Sequence, residues 1–152
     1  YDAIYRYITE TSNVEEELAV DFSKVFLGVG KRAEGAFPYE SVYTIHQGVM
    51  MQDAYESVVM LYAENGFKVD DSIAVAADHI YIELSFMAEL CRRAAEGVDN
   101  YELQQHFLNE HLMNWALRFC DQAEEIASTS YYKSVAAITR EFLRADSALL
   151  NE

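Results

Sequence analysis

Four histidines, two cysteines and one glycine-rich loop are the features of this 152-residue chain whose residue types could support chemistry. A two-metal site in an acidic helical protein sets Glu three positions ahead of His, so that both side chains leave one helix face. Tyr43, Ala76, Leu103 and Leu108 hold those places ahead of His46, His79, His106 and His111, and HExxH is absent. Glu102 and His106 form an ordinary i, i+4 pair, and His106 and His111 read as core or interface histidines. Gly28-Val29-Gly30-Lys31-Arg32 looks superficially like a phosphate loop. Val25 stands where that loop needs its first glycine, however, and Arg32 where it needs Ser or Thr, so the stretch reads as a flexible basic loop. Cys91 and Cys120 form no CxxC pair and fall on helix stripes, GxSxG is missing, and Arg92-Arg93 lies in mid-helix, where it is no export signal. No catalytic residue, metal ligand or cofactor is assigned.

The elements that must position these residues are helices. Five of the six glycines fall between segments of helical period. Tyr1, Ile4, Tyr5 and Ile8 have helical spacing without a start signal, so 1–12 reads as the remnant of a longer helix. Ser12 or Asn13, with Glu15 or Glu16, caps a helix whose apolar stripe is Val14, Leu18, Phe22, Val25 and Phe26 and which Gly28 ends. Residues 28–43 and 66–78 read as loops, the first holding three glycines and the only proline. A second long helix opens at Thr44 with Gln47 as its box partner, tolerates Gly48, and stops at Asn65-Gly66. Asp78 caps a helix carrying Ile80, Leu84, Met87 and Cys91. The alternation of Ile80, Ile82, Leu84 and Phe86 also fits a strand, but the helical period runs on for four turns. Asp99 with Glu102 opens the helix of Leu103, Phe107, Leu108, Leu112, Trp115, Phe119 and Ile126. Ser128-Thr129-Ser130 breaks it and caps a last helix with the face Tyr132, Val135, Ile138, Thr139, Phe142 and Leu149. With no βαβ alternation and no hairpin dipeptide, the expectation is an all-α, single-domain bundle of five or six helices over 1–152.

Composition narrows the function. Apolar residues make up 51% of the chain, enough for a core, while 26 acidic against 11 basic residues leave a net charge of −15. That field repels phosphate backbones, so nucleic acid is excluded as a partner, and it favours cationic ones. The apolar stretches are far shorter than the ~20 residues of a membrane helix, so no membrane insertion is expected. No signal-peptide pattern opens the chain, and two lone thiols suit a reducing compartment, so the expected location is cytoplasmic. Eleven tyrosines and eight phenylalanines are more than a core obviously needs. Phe37, Tyr39 and Tyr43 surround Pro38, and carboxylates beside them (Glu40, Asp78) are suited to a bidentate arginine. An apolar groove with acidic edges would take a peptide with basic residues ahead of an apolar run. The plain alternative is that the tyrosines form the outer core while Glu40 and Asp78 cap helices.

Four stretches, in order, resemble a known family. Leu18–Gly28 (LAVDFSKVFLG), Phe37–Tyr43 (FPYESVY), Asp78–Leu90 (DHIYIELSFMAEL) and His106–Trp115 (HFLNEHLMNW) are similar to segments of the TorD/DmsD/NarJ family of redox-enzyme maturation chaperones. Tyr131-Tyr132 and Thr139–Leu143 resemble its closing helix. The resemblance implies an all-helical cytoplasmic chaperone without catalytic activity. Its partners would be the apo catalytic subunit of a molybdopterin oxidoreductase and that subunit's twin-arginine signal peptide. The residues carried over for signal binding are Phe26, Gly28, Pro38, Tyr39, Ser41 and Tyr43, with Asp78 and His79 from the family's hinge motif; Glu40 joins them as a carboxylate beside the aromatics. Asp78 has two roles open, helix cap or arginine acceptor. His79 has two as well, proton sensor near neutral pH or packing residue. His111 and Trp115 match the family pattern and read as core.

Two departures stand out. Val75-Ala76 replaces the family's Glu-Pro before Asp-His, so the rigid acidic turn is lost and Asp70–Ala77 is free to be helical. The helix pair usual before the Asp21 region is also reduced to a remnant, as in a short member or a chain that has lost its beginning. Missing helices would expose apolar surface, which favours a homodimer or helix exchange between chains. Two other readings remain at this point: a metal- or nucleotide-binding helical protein, and a structural assembly subunit.

Overall fold

The structure is a computed structural model that describes residues 2–30, 34–44, 51–70 and 72–151. Its helices are α1 (Asp2–Glu10), α2 (Val14–Leu27), α3 (Glu40–Thr44), α4 (Met51–Glu64), α5 (Ile80–Ala95), α6 (Tyr101–Phe107), α7 (Met113–Ile126) and α8 (Ser130–Leu150). A π-helical turn, Leu108–Leu112, joins α6 to α7 without a break. Counted that way, seven helices lie among the described residues and no strand does, which bears out the all-α class. The helix beyond the expected number is α3. It occupies the end of a stretch that reads as loop, because five residues are too few to show a period.

The chain divides into two compact units. Unit 1 comprises Tyr1–Phe37 and Leu117–Arg144; unit 2 comprises Pro38–Ala116 and Ala145–Glu152. In unit 1, Val25, Phe119, Cys120, Ala123, Ala127, Ala136 and Leu143 are buried. Helix α1 buries none of its residues, and its Tyr7 hydroxyl donates to Glu17 at 2.7 Å. Asn13 is the N-cap of α2, yet its side chain makes no capping bond, so the expected box does not form. Gly28 ends α2 as expected, in the left-handed region at φ 65°.

The expected faces of α2 and α8 need correction. Phe22 is 44% exposed while Asp21 is buried in its place. On α8, Val135, Ile138, Phe142 (60% exposed) and Leu149 face outward, and Ala136, Leu143 and Leu150 are the buried residues. An apolar stripe shows that a helix has a face. Which face is covered depends on what the neighbouring elements bring against it.

In unit 2 the core is an aromatic column. Tyr62 and Phe86 have ring centroids 4.9 Å apart, and Phe86 meets Phe107 edge-on at 4.8 Å. Around them Val58, Ile82, Met87, Leu90, Leu108, Leu112 and Trp115 are buried. Helix α5 is a helix and not a strand, but it turns Ile82, Glu83, Phe86, Met87 and Leu90 inward in place of the expected Ile80, Leu84 and Cys91. Cys91 is exposed, as is His106, so neither is a core residue. The N-cap of α6 is Asn100 and not Asp99. Thr44 closes α3 and does not open α4, whose end at Asn65-Gly66 is as expected. Tyr1, Lys31, Arg32, Gln47 and Gly48, parts of the expected N-terminal stripe, basic loop and second long helix, lie outside the described residues. The hinge stretch is not helical among its described residues: Asp70 accepts from the Ser72 N–H at 2.8 Å, and an irregular run leads to His79.

Candidate functional site

Tyr39 and His79 meet in unit 2 as an isolated antiparallel bridge. The Glu40 N–H donates to the Asp78 carbonyl at 3.0 Å, and the Ile80 N–H donates to the Pro38 carbonyl at 2.9 Å. These bonds tie together two stretches some forty residues apart in sequence. Asp78 adds a third tie, because its buried Oδ2 accepts from the Ser41 N–H at 3.1 Å. Asp78 is therefore a cap, but of α3; the cap of α5 is His79, whose Nδ1 accepts from the Tyr81 N–H at 3.0 Å. An imidazole that accepts at Nδ1 must be neutral there. Burial pushes the His79 pKa below its ordinary 6.5, and the nearby Asp78 charge only partly opposes this. The Tyr39 and His79 rings pack edge-on at 5.0 Å, and both are half-buried.

Behind this bridge, Pro38, Glu40, Ser41, Tyr43 and Asp78 are all buried. The two Glu40 oxygens lie 3.0 and 3.2 Å from His111 Nδ1. The indole N–H of Trp115 donates to Glu83 Oε2 at 3.0 Å, and Tyr43 stacks on the indole at 5.6 Å. Glu83 is 0% exposed, and its Oε1 faces no donor among the described residues. Desolvation, and next to it the Glu40 charge, push the Glu83 carboxyl well above the usual carboxylate range; the Trp115 hydrogen bond pulls the other way. Sequence reading missed Glu83 because a Glu within an amphipathic helix ordinarily points to water. Its one signal is position, since it sits one place from the buried Ile82 and three from the buried Phe86. A cavity of about 380 Å³ opens beside Glu40, lined also by Asp53, Ser57, His106 and Glu110. Among the described residues, no three His, Cys, Asp or Glu side chains group in a way that would hold a metal ion, and no helix is long and apolar enough to cross a membrane.

The two remaining candidates belong to unit 1. Phe26 is half-buried in a ring cluster with Phe22 (5.2 Å), Tyr132 (5.5 Å, edge-on) and Phe119 (6.1 Å). Gly28 owes its identity to its positive φ, and Gly35 owes its own to close backbone approach, since a Cβ there would lie 3.0 Å from the Gly28 Cα and N. Asp21 holds this unit's loop. It accepts from the Ser128 N–H (2.9 Å), the Thr129 N–H (2.8 Å) and the Thr129 hydroxyl (2.7 Å), which fixes the start of α8. Burial alone would raise the Asp21 pKa, but these donors and the Lys24 charge outweigh it and hold the carboxyl below 3.8.

These arrangements fall on the motifs that carry the sequence resemblance: Asp21 and Gly28 on the first, Pro38–Tyr43 on the second, Asp78–Glu83 on the third, His111 and Trp115 on the fourth. Residues 1–121 match the model of a family described as nitrate reductase delta subunit. The chain belongs to this family. Among its curated relatives is the chaperone protein TorD of Vibrio parahaemolyticus, 30% identical over 155 residues, covering 98% of this chain and 71% of the relative. The TorD chaperone of Vibrio atlanticus gives the same figures, and that of Photobacterium profundum is 29% identical over 140 residues, 88% of this chain and 64% of the relative. The TorD/DmsD/NarJ resemblance is thus borne out. Backbone pairing to Pro38 and Glu40 holds the Asp78–His79 turn in place.

Proposed function

We propose that this chain is a cytoplasmic maturation chaperone that holds the apo catalytic subunit of a molybdopterin oxidoreductase until its cofactor is inserted. It grips that subunit through a twin-arginine signal peptide and catalyses no reaction itself. The observation that carries this reading is the pinned bridge of unit 2, which leaves the rings of Tyr39 and His79 partly accessible over a buried acidic layer. A planar guanidinium stacks well on an aromatic ring, and the net charge of −15 draws a basic leader in. Tyr39 and His79 are the contact residues in this proposal, while Pro38, Glu40, Ser41, Tyr43 and Asp78 position them. Phe26 offers a further ring in unit 1, on a helix end shaped by Gly28.

Calorimetric titration with a twin-arginine leader peptide tests the proposal. Saturable 1:1 binding is expected, reduced at least tenfold when both arginines are replaced by lysine, because a compact ammonium neither stacks nor forks. Equal binding of the two peptides, or of neither, would overturn it. Metal analysis and nucleotide titration of the same protein address the rival reading; stoichiometric metal or micromolar nucleotide affinity would favour that one.

A further inference from the structure

Three carboxyl groups are buried together in unit 2: Glu40 from α3, Asp78 ahead of α5, and Glu83 from α5. Asp78 is answered by the Ser41 N–H, and Glu40 by the imidazole of His111 on the π turn. Glu83 has one donor, the neutral indole of Trp115 on α7. Tyr62 on α4 also faces the group, with its hydroxyl turned to the Ala77 carbonyl; burial and the charges of Glu83, Glu40 and Asp78 all raise its pKa, so it brings no positive charge. Among the described residues His111 is thus the single basic side chain bonded to the group, and a single imidazole can answer at most one of the three carboxyl groups. Further negative charges in a dry interior would repel each other, with only one neutral N–H donor each on Asp78 and Glu83 to offset their desolvation. The Oε1 atom of Glu83, which faces no donor, becomes a donor itself once it carries a proton, and Glu40 is the acceptor at hand.

We propose that Glu83 keeps its proton at neutral pH and shares it with Glu40, and that this proton locks α3 against α5. It is a proton-sensitive latch on the segment that carries Tyr39. The linkage has a definite sign. Unfolded, Glu83 titrates near its ordinary 4.5; folded, it holds the proton to higher pH. The latch is complete below about pH 4.5 and is lost as pH rises through the folded value, because the folded chain then binds the extra proton. Loss of the proton sets two carboxylates against each other and loosens α3. The latch stands whether or not unit 2 takes a signal peptide.

Trp115 is the only tryptophan, so intrinsic fluorescence reports on this one site. Wild-type emission is expected to titrate well above the ordinary glutamate range, and its infrared spectrum to show the carbonyl stretch of a protonated carboxylic acid at pH 7. Glu83→Gln, which keeps an oxygen for Trp115 and an N–H₂ for Glu40, should abolish the fluorescence transition and remove that part of the infrared band. Its Tm should match wild type near pH 4 and exceed it by a margin that grows with pH, reaching roughly 3 °C. Trp115→Phe, which removes the donor that favours ionised Glu83, should carry the infrared band to higher pH. A wild-type protein with no protonated-acid band at pH 7 would overturn the proposal. So would an unchanged fluorescence transition in Glu83→Gln, or an unmoved band in Trp115→Phe.

Discussion

Each unit buries carboxylates, and the two treat them in opposite ways. In unit 1, Asp21 accepts from two backbone amides and a hydroxyl, with Lys24 nearby, and stays ionised further into acid than a free aspartate. In unit 2, Glu83 has one indole donor and a like-charged neighbour, and holds its proton to higher pH than a free glutamate. Burial is common to both, so burial does not set the charge state. The number of donors aimed at the oxygens does. The consequences for stability oppose each other: Asp21 contributes stability above its unfolded value near 3.8 that is lost as pH falls through its lower folded value, whereas the Glu83 contribution is lost as pH rises.

The sharpest way to break this contrast is to make the same carboxyl-to-amide change in both units. Asp21→Asn leaves a single carbonyl for three donors and turns an N–H₂ toward them, so urea unfolding at pH 7 should show a loss of about 3 kcal/mol. Glu83→Gln should gain stability under the same conditions. If both variants lose equally, donor count is not what separates the units. Next in size is a test of which unit holds a leader peptide. Tyr39→Ala in unit 2 should weaken binding by about 1–2 kcal/mol. Phe26→Ala gives the comparison for unit 1, and a larger affinity loss there would move the proposed grip away from the Tyr39–His79 bridge. The smallest expected effect is at His79, whose neutral Nδ1 caps α5. His79→Ala should cost about 0.5–1 kcal/mol at pH 8. Because the folded His79 pKa is depressed, that difference should persist above pH 6.5 and shrink as pH falls through the folded value. A pH-independent difference would mean that the imidazole contributes packing alone.

Much of the fold is legible in the residues. Gly28, Asn65-Gly66 and Gly97 stop helices where backbone chemistry says they should, three of them with positive φ. The spacing of Phe107, Leu108, Leu112, Trp115 and Phe119 marks a buried face that the structure keeps. The candidate site is legible only in part. His111 and Trp115 read as core and are core, but their partners, Glu40 and Glu83, lie 71 and 32 residues away, and no local pattern links them. Asp78 reads as the cap of the helix beside it, yet its carboxylate reaches back to the Ser41 N–H, 37 residues earlier.

What the sequence determines by itself is the helical class, most of the breaks and the strongly acidic charge, all set by local backbone preference or simple counting. Tertiary structure alone decides which face of α8 is covered, which of two neighbouring residues caps α5, and which carboxyl group keeps its proton. Those outcomes depend on the surface a helix meets and on the donors that reach into it, and such contacts come from residues far away along the chain.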